Sequence, residues 1–456
     1  MQKLPPEFLD RMKTLLGDEY DGFLSSYESP PCRGLRLNTL KLSEESFLRV
    51  CPFELSRVPW AAEGFYIENG ARPGLHPYHD AGAYYIQEPS AMSVAGLLDP
   101  RPGEAVLDLC AAPGGKTTHI AQKMRGSGIL IANEIVSGRA NILAQNVERM
   151  GVTNCVVTNE TPSRLAGKFD GCFDRILVDA PCSGEGMFAK EENAAAEWSP
   201  ENVTMCAARQ LEILDCAASM LKGGGRLVYS TCTFSPEENE RNVRRFLEKH
   251  PEFELEDAEL PQGMSRGRPE WADGWSGASL TFRIWPHISR GEGHFAAVLK
   301  KDGGYSRSLP VASASSEEER MKYFSDFCGR YLRTPLEGRR LCVKDRLYII
   351  PESCPDMAGL RVLRAGVYAG DFKKSRFEPS HTLAMALKKE QAVNVIDMKS
   401  GSEELELYLQ GSELRPHSGV EGWTLMCVDG LSIGWGKSVS TGVKNHYPRG
   451  LRRMSR

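Results

Sequence analysis

The sequence predicts an α/β protein: a parallel sheet covered by helices on both faces, with a small α+β region before it and β-rich modules after it. Three observations carry this prediction. Between about Glu88 and Lys301, apolar runs of strand length alternate with helix-period segments, the pattern of strand–helix–strand crossovers. The first of these strands enters a glycine-containing turn from which a helix leaves. Beyond a polar Ser/Gly stretch, the rest of the chain reads as short strands.

Residues 1–87 hold the alternating "GLRLNTLKL" and the helical "SEESFLRV", and close on the punctuation "NGARPGLHPYHDAG". Residues 88–301 follow. "AVLDL" precedes the helix "TTHIAQKM", and "GILIANE" precedes "GRANILAQNVERMG". Next come "CVVT", "FDRILVDA" and the helix "NVTMCAARQLEILDCAASMLKGGG". "RLVYST", the helix "EENERNVRRFLEKH" and the strand "HFAAVLKK" complete the region. In such sheets ligands bind at the carboxyl ends of the strands. "DGGYSRSLPVASASSEEER" (302–320) reads as a linker. It opens a first C-terminal module, 302–376, and a last domain occupies 377–456. Their strands are "RLCVKDRLYIIP", "LRVLRAGVYAGDF", "NVIDM" and "WTLMCVDGLSIGWGKSV".

Composition narrows the function classes. A chain of 456 residues exceeds one core, and 41% hydrophobic with 25% charged residues suits a soluble globular protein. No apolar run approaches the roughly 18 residues of a membrane span, and "MQKLPPEFLDRMKTLL" lacks a signal-peptide core. A cytoplasmic protein without membrane association is expected, as a monomer. The 13 cysteines form no Cys-x-x-Cys pair and have no histidine cluster near them, which argues against a metal site and a disulfide framework. A net charge of −4 argues against a general nucleic-acid-binding coat. From Lys437 onward, however, Lys437, Lys444, Arg449, Arg452, Arg453 and Arg456 occur without an acid. This end reads either as a solvated tail or as a contact to phosphates.

The turn in "LDLCAAPGGKTTHIA" (107–121) admits three ligand classes. A Walker loop needs a first glycine where Cys110 stands, and adjacent Gly114 and Gly115 do not make a dinucleotide fingerprint. The third is a nucleoside-binding loop, whose companion is an acid ending the next strand to hold ribose hydroxyls. Glu134 is that acid.

Two further strands end in polar turns that hold a cysteine: "ILVDAPCSGEG" with Cys182 and "LVYSTCTFSPEENE" with Cys232. Together with "LDLCAAPGGKTTHIA", "ANE" and "RLNTLK" (36–41), these stretches resemble the successive motifs of the RNA cytosine-5 methyltransferases of the Sun (Fmu, nucleolar-protein) family, in its bacterial ribosomal-RNA branch. The resemblance spans about Arg36 to Lys301. In addition, "VDGLSIGWGK" is similar to the glycine turn of a PUA-like RNA-binding module. The resemblance implies a Rossmann-like fold that uses S-adenosylmethionine. Cys110, Ala111, Ala112, Pro113, Gly114, Gly115 and Lys116 would wrap its methionine end. Glu134 would hold the ribose, with Arg139 and Asp179 alongside. Where many members place an aspartate near the adenine, "VVTNETPSRLAG" offers only Asn159 and Glu160, so the adenine contact is left unassigned.

Cytosine C5 is a poor nucleophile until a thiolate adds at C6, so the chemistry is covalent catalysis with a second group aiding collapse of the adduct. By the resemblance, Cys232 is the nucleophile and Cys182 assists release. For Cys155, Cys172, Cys206 and Cys216 a buried structural thiol is expected. Asp179 either stays protonated and donates to cytosine N3, or stays ionised and accepts from the exocyclic amine. Met187 and Phe188 either pack on a base or belong to the core, and core is favoured for Phe188. Small-subunit ribosomal RNA is the implied partner. Transfer RNA is the alternative, and a dehydrogenase or an inert RNA-binding assembly factor are the rival functions.

Overall fold

The computed structural model describes residues 4–190, 192–311 and 318–453. Arg456, the first three residues and 312–317 of the expected linker lie outside them. The central sheet has 10 strands. They are β1 (Ala105–Asp108), β2 (Ile129–Asn133), β3 (Cys155–Thr158), β4 (Phe173–Asp179), β5 (Leu221–Thr231), β6 (Phe253–Leu255), β7 (Ser265–Arg266), β8 (Phe282–Ile284), β9 (His294–Lys301) and β10 (Val362–Ala365). Their order is β7-β8-β9-β5-β4-β1-β2-β3-β10, with β6 beside β9.

The five strands β3-β2-β1-β4-β5 are parallel, while β9 runs antiparallel to β5. Helices α1 (Gly115–Met124), α2 (Ser137–Arg149), α3 (Pro162–Phe169), α4 (Pro200–Met220) and α5 (Glu240–Lys249) connect them. Alternation along each strand fills both faces. Val106 and Leu130 join one core with Ile120 and Leu143, while Leu107 and Ile131 join another with Leu165, Leu214 and Phe246. Burying each such side chain contributes about 1.5–3 kcal/mol. Chain order reverses between β1 and β4, which leaves a crevice at their carboxyl ends.

The sheet does not stop at Lys301. β10, from "LRVLRAGVYAGDF", pairs antiparallel with the edge strand β3, with Val362 opposite Thr158 and Ala365 opposite Val156. The sequence expects this stretch to belong wholly to a separate C-terminal module. An unpaired edge strand such as β3 takes up backbone partners from wherever the chain supplies them. Only the second half of the stretch, Val367–Lys373, joins a four-stranded sheet of the module itself.

The N-terminal region is a four-stranded antiparallel sheet of Leu55–Arg57, Gly64–Ile67, Gly34–Leu37 and Tyr84–Ile86. It shares one apolar core with the last domain, where Leu35, Phe65 and Tyr84 meet Leu405, Tyr408 and Ile433. Polar contacts seal this junction: the Tyr78 hydroxyl donates to Asp429 at 3.0 Å, and Arg453 pairs with Asp80 at 2.6 Å. Arg453 of the basic end is therefore an interdomain contact. Phe188 is core, edge-on to Phe8 with centroids 5.0 Å apart, under the N-terminal helix Pro6–Leu16. Among the described residues no helix is long and apolar enough to cross a membrane, and no group of three or more His, Cys, Asp or Glu could hold a metal. The 13 cysteines are free thiols.

Candidate active site

Register brings the two cysteine turns together. In the parallel pair β4–β5, Asp179 stands opposite Ser230. The two turns therefore leave the sheet side by side, and the Cys182 and Cys232 sulfurs meet at 3.3 Å. Glycine permits the approach. Gly186 N–H donates to the Cys232 carbonyl at 2.9 Å, and a Cβ on Gly186 would stand 2.9 Å from that same oxygen.

Two buried carboxylates brace the turns crosswise. Glu238, after Cys232, accepts the Ser183 N–H at 3.0 Å and the Gln210 amide at 2.8 Å. Burial raises its carboxyl to about 7. Glu185, after Cys182, accepts from the Phe234 N–H at 2.9 Å, the Ser235 hydroxyl at 2.7 Å and the Trp198 indole at 3.0 Å. A hydrogen bond between the Ser183 and Thr233 hydroxyls, 2.8 Å apart, completes the brace. The Cys182 thiol is pushed well up, first by its hydrogen bond with Cys232 and then by burial, so it keeps its proton.

Asp179 lies beside the thiols. Burial opposes its charge, but the Lys116 ammonium at 2.8 Å and the Ser230 hydroxyl at 2.8 Å outweigh it and hold the carboxyl below its ordinary value. Lys116 is in turn raised, because Asp179 outweighs its own burial. His294 Nε2 stands 3.9 Å from Asp179. Burial and the Lys116 charge hold this imidazole down to about 3, so it is neutral. It reaches the site because β9 is antiparallel: its first residue lies at the carboxyl ends of its parallel neighbours.

The glycine turn precedes α1. Gly114 has φ +112°, and a Cβ there would meet Leu143 at 3.1 Å. Beneath the turn, buried Asp108 accepts from the Thr117 hydroxyl at 2.7 Å, and burial lifts its carboxyl to about 7. Arg36 of the N-terminal sheet donates to the Gly115 carbonyl at 2.6 Å and to the Thr118 hydroxyl at 2.8 Å. Glu134, 3% exposed, accepts the Val136 N–H at 2.9 Å and lies 3.5 Å from Arg139, which also donates to the Ala112 carbonyl at 2.8 Å.

One cavity of about 940 Å³ joins these parts, lined by Cys110, Ala112, Glu134, Arg139, Asp179, Cys182 and Cys232. Ala111, Pro113 and Gly114 hold the turn: the Ala111 N–H donates to the Asn133 carbonyl, and the Asn146 amide donates to the Pro113 carbonyl. Gly115 and Lys116 face Arg36 and Asp179. Burial pushes the Cys110 thiol far up, which disfavours its thiolate.

Four family models tile the chain. N-terminal domain of 16S rRNA methyltransferase RsmF matches residues 4–89, and 16S rRNA methyltransferase RsmB/F matches 95–300. The RsmF first C-terminal domain matches 326–387 and the RsmF PUA domain 395–453. A ribosomal RNA small subunit methyltransferase F of Erwinia tasmaniensis is 32% identical over 98% of this chain and 96% of its own length. The chain belongs to the 16S rRNA methyltransferase RsmB/F family. A ribosomal RNA small subunit methyltransferase F of Vibrio vulnificus is 33% identical over 98% of this chain and 97% of its own length. A crystal structure of a methyltransferase homolog protein from Pyrococcus horikoshii superposes with a TM-score of 0.56 at 31% identity, covering 65% of this chain and all of that one.

Within this RsmB/F chain, several site residues were not legible as such. Glu185, Glu238 and Ser230 lie inside quoted motifs, but their partners are 50 or so residues away in sequence and only strand register shows them. His294 opens a strand that the sequence reads correctly, without showing that it enters from the opposite end. Exposed apolar Ile135 and Val136 line the cavity after Glu134, as do Thr161, Pro162 and Ser163. Asn159 and Glu160 are committed elsewhere: the Asn159 amide donates to the Glu134 carbonyl at 2.7 Å, and Glu160 accepts the Arg361 N–H at 2.6 Å. Cys155, Cys172 and Cys206 are buried as expected, but Cys216 is half-buried at the cavity's outer wall. Met187 also lines the cavity.

Proposed function

We propose that this protein transfers a methyl group from S-adenosylmethionine to C5 of a cytosine in small-subunit ribosomal RNA, through an adduct on Cys232 resolved with help from Cys182. One observation carries it: two thiols 3.3 Å apart share a cavity with Asp179 and with Glu134, the acid proposed to hold the ribose. Membership of a 16S rRNA methyltransferase family and the PUA domain at the end of the chain support RNA as the substrate.

The residues fit the cofactor. Glu134 offers carboxylate oxygens to a hydroxyl pair, the exposed apolar side chains of Ile135 and Val136 offer a flat base a surface, and Thr161 to Ser163 close the far end. When bound, S-adenosylmethionine supplies an electrophilic methyl group. The chain does the rest. Cys232 adds to C6 and makes C5 nucleophilic. Asp179, ionised and fixed by Lys116 and Ser230, accepts from the exocyclic amine, which favours cytosine over uracil. After methylation the C5 proton passes to solvent water, its C–H electron pair restores the C5–C6 double bond, and the Cys232 sulfur is expelled as thiolate with Cys182 beside it. The target base has to leave its stack to reach this depth.

Bisulfite sequencing of ribosomal RNA from a strain lacking the gene tests the reading. One or more cytosines protected in wild type become convertible in the mutant, and an unchanged pattern rejects rRNA cytosine methylation. The cofactor assignment has its own test. Glu134→Ala removes charge-assisted hydrogen bonds of about 1.5–3 kcal/mol, so affinity for S-adenosylmethionine by calorimetry falls roughly ten- to a hundred-fold. Unchanged affinity in a folded variant removes Glu134 from the site.

A further inference from the structure

A second cavity, of about 540 Å³, lies on the other side of the turn that carries Cys182. The two cavities share one wall: Met187 faces the first, while Gly186 and Ala189 face the second. Gly186 is itself bonded to the Cys232 carbonyl, so the second space begins one turn away from the attacking sulfur. Its remaining walls come from two sources, the N-terminal loop Ser26–Arg33 with Ile67–Asn69, and Pro286–Glu292 before β9.

The lining suits an unstacked nucleotide. Arg290 is exposed, and its guanidinium carbon stands 4.4 Å from the centroid of the buried Tyr66 ring. Tyr66 backs this planar cation, and Arg290 itself lines the cavity, where a base can stack on it. Arg33, also exposed, is held by its hydrogen bond to the Ala71 carbonyl at 3.3 Å and offers its other donors to a phosphate. Glu68 lines the same space, and Glu292 is buried at its edge with Lys190 at 3.7 Å. His287, paired with Glu19 at 3.3 Å, and Tyr27 also line the space.

We infer that this cavity holds the RNA nucleotide next to the target cytosine, its base stacked on Arg290 and its phosphate against Arg33. The inference rests on the RNA-methylation reading above and adds a subsite to it. A target base withdrawn from its stack leaves its neighbour without one stacking partner. A preformed guanidinium platform one turn from the catalytic cavity replaces that partner and sets the register of the strand.

The test is steady-state methylation of small ribosomal subunits assembled on unmodified 16S rRNA, by wild type, Arg290→Ala and Arg290→Lys. Loss of one stacked base raises the KM for RNA about tenfold, more than kcat falls. Affinity for S-adenosylmethionine by calorimetry stays unchanged in both variants. Arg290→Lys matches Arg290→Ala, because an ammonium keeps the charge but has no plane to stack on. A wild-type KM in Arg290→Ala overturns the subsite. A wild-type KM in Arg290→Lys overturns the stacking and leaves a mere phosphate contact. If wild type itself methylates no RNA, the underlying reading fails, and the subsite with it.

Discussion

Cys182→Ala, given substrate RNA and S-adenosylmethionine, is expected to accumulate a covalent protein–RNA species on a denaturing gel that Cys232→Ala does not form. In the proposed mechanism the two thiols, 3.3 Å apart, serve different steps. Removing Cys232 removes the attacking sulfur, so neither adduct nor product forms. Removing Cys182 leaves attack and methyl transfer in place and hinders collapse of the adduct. Formation and collapse partition a shared intermediate, so slowing collapse by about 10³, roughly 4 kcal/mol on its barrier, makes the adduct the dominant species. Neither substitution disturbs the turns, which Glu185 and Glu238 hold through neighbouring residues. A band from both variants, or from Cys232→Ala alone, reverses the assigned roles. No band from either, with Cys182→Ala fully active, makes Cys182 structural.

A chain ending at Lys301 is expected to aggregate or, where soluble, to bind S-adenosylmethionine at least about tenfold more weakly. The sequence reads the chain beyond Asp302 as a linker and separate β-rich modules. The structure shows three losses on truncation. β10 leaves β3 as a bare edge, ready to pair with other chains. Ile350 and Cys354 leave the core that packs against Leu107, Ile131 and Val156. The segment before β10 also supports the cavity rim: the Asn159 N–H donates to the Arg361 carbonyl at 2.9 Å, Glu160 accepts the Arg361 N–H, and the Arg361 guanidinium reaches the Ser137 hydroxyl at 3.3 Å. Thr161 to Ser163, which line the cavity, hang from that segment. Sedimentation and calorimetry on the truncated chain check this, and a monodisperse protein with wild-type cofactor affinity contradicts it. Charge reversal at Arg453 would be a poor probe of RNA contact, because it breaks the pair with Asp80 that joins the last domain to the first.

What the sequence determined by itself was local. Runs such as "AVLDL" and "ILVDA" are apolar on both faces and so require a sheet covered on both sides. A glycine turn followed by an acid-terminated strand reads as a nucleoside site, and the contiguous motifs around Cys110, Glu134, Cys182 and Cys232 lie at strand ends, where the chemistry is proposed. Each of these signals lies within about 30 residues, where backbone geometry and side-chain period act directly. Only the tertiary structure decided which ends meet. Strand register set the sulfurs in contact and crossed Glu185 with Glu238, while the antiparallel sense of β9 delivered His294. Pairing across 63 residues joined Lys116 to Asp179 and kept that carboxyl ionised, a choice the sequence had left open. The docking of the last domain on the first, and the loan of β10 to the central sheet, follow from apolar surface and unpaired backbone seeking partners. Those forces act through space, and no periodicity along the chain records their outcome.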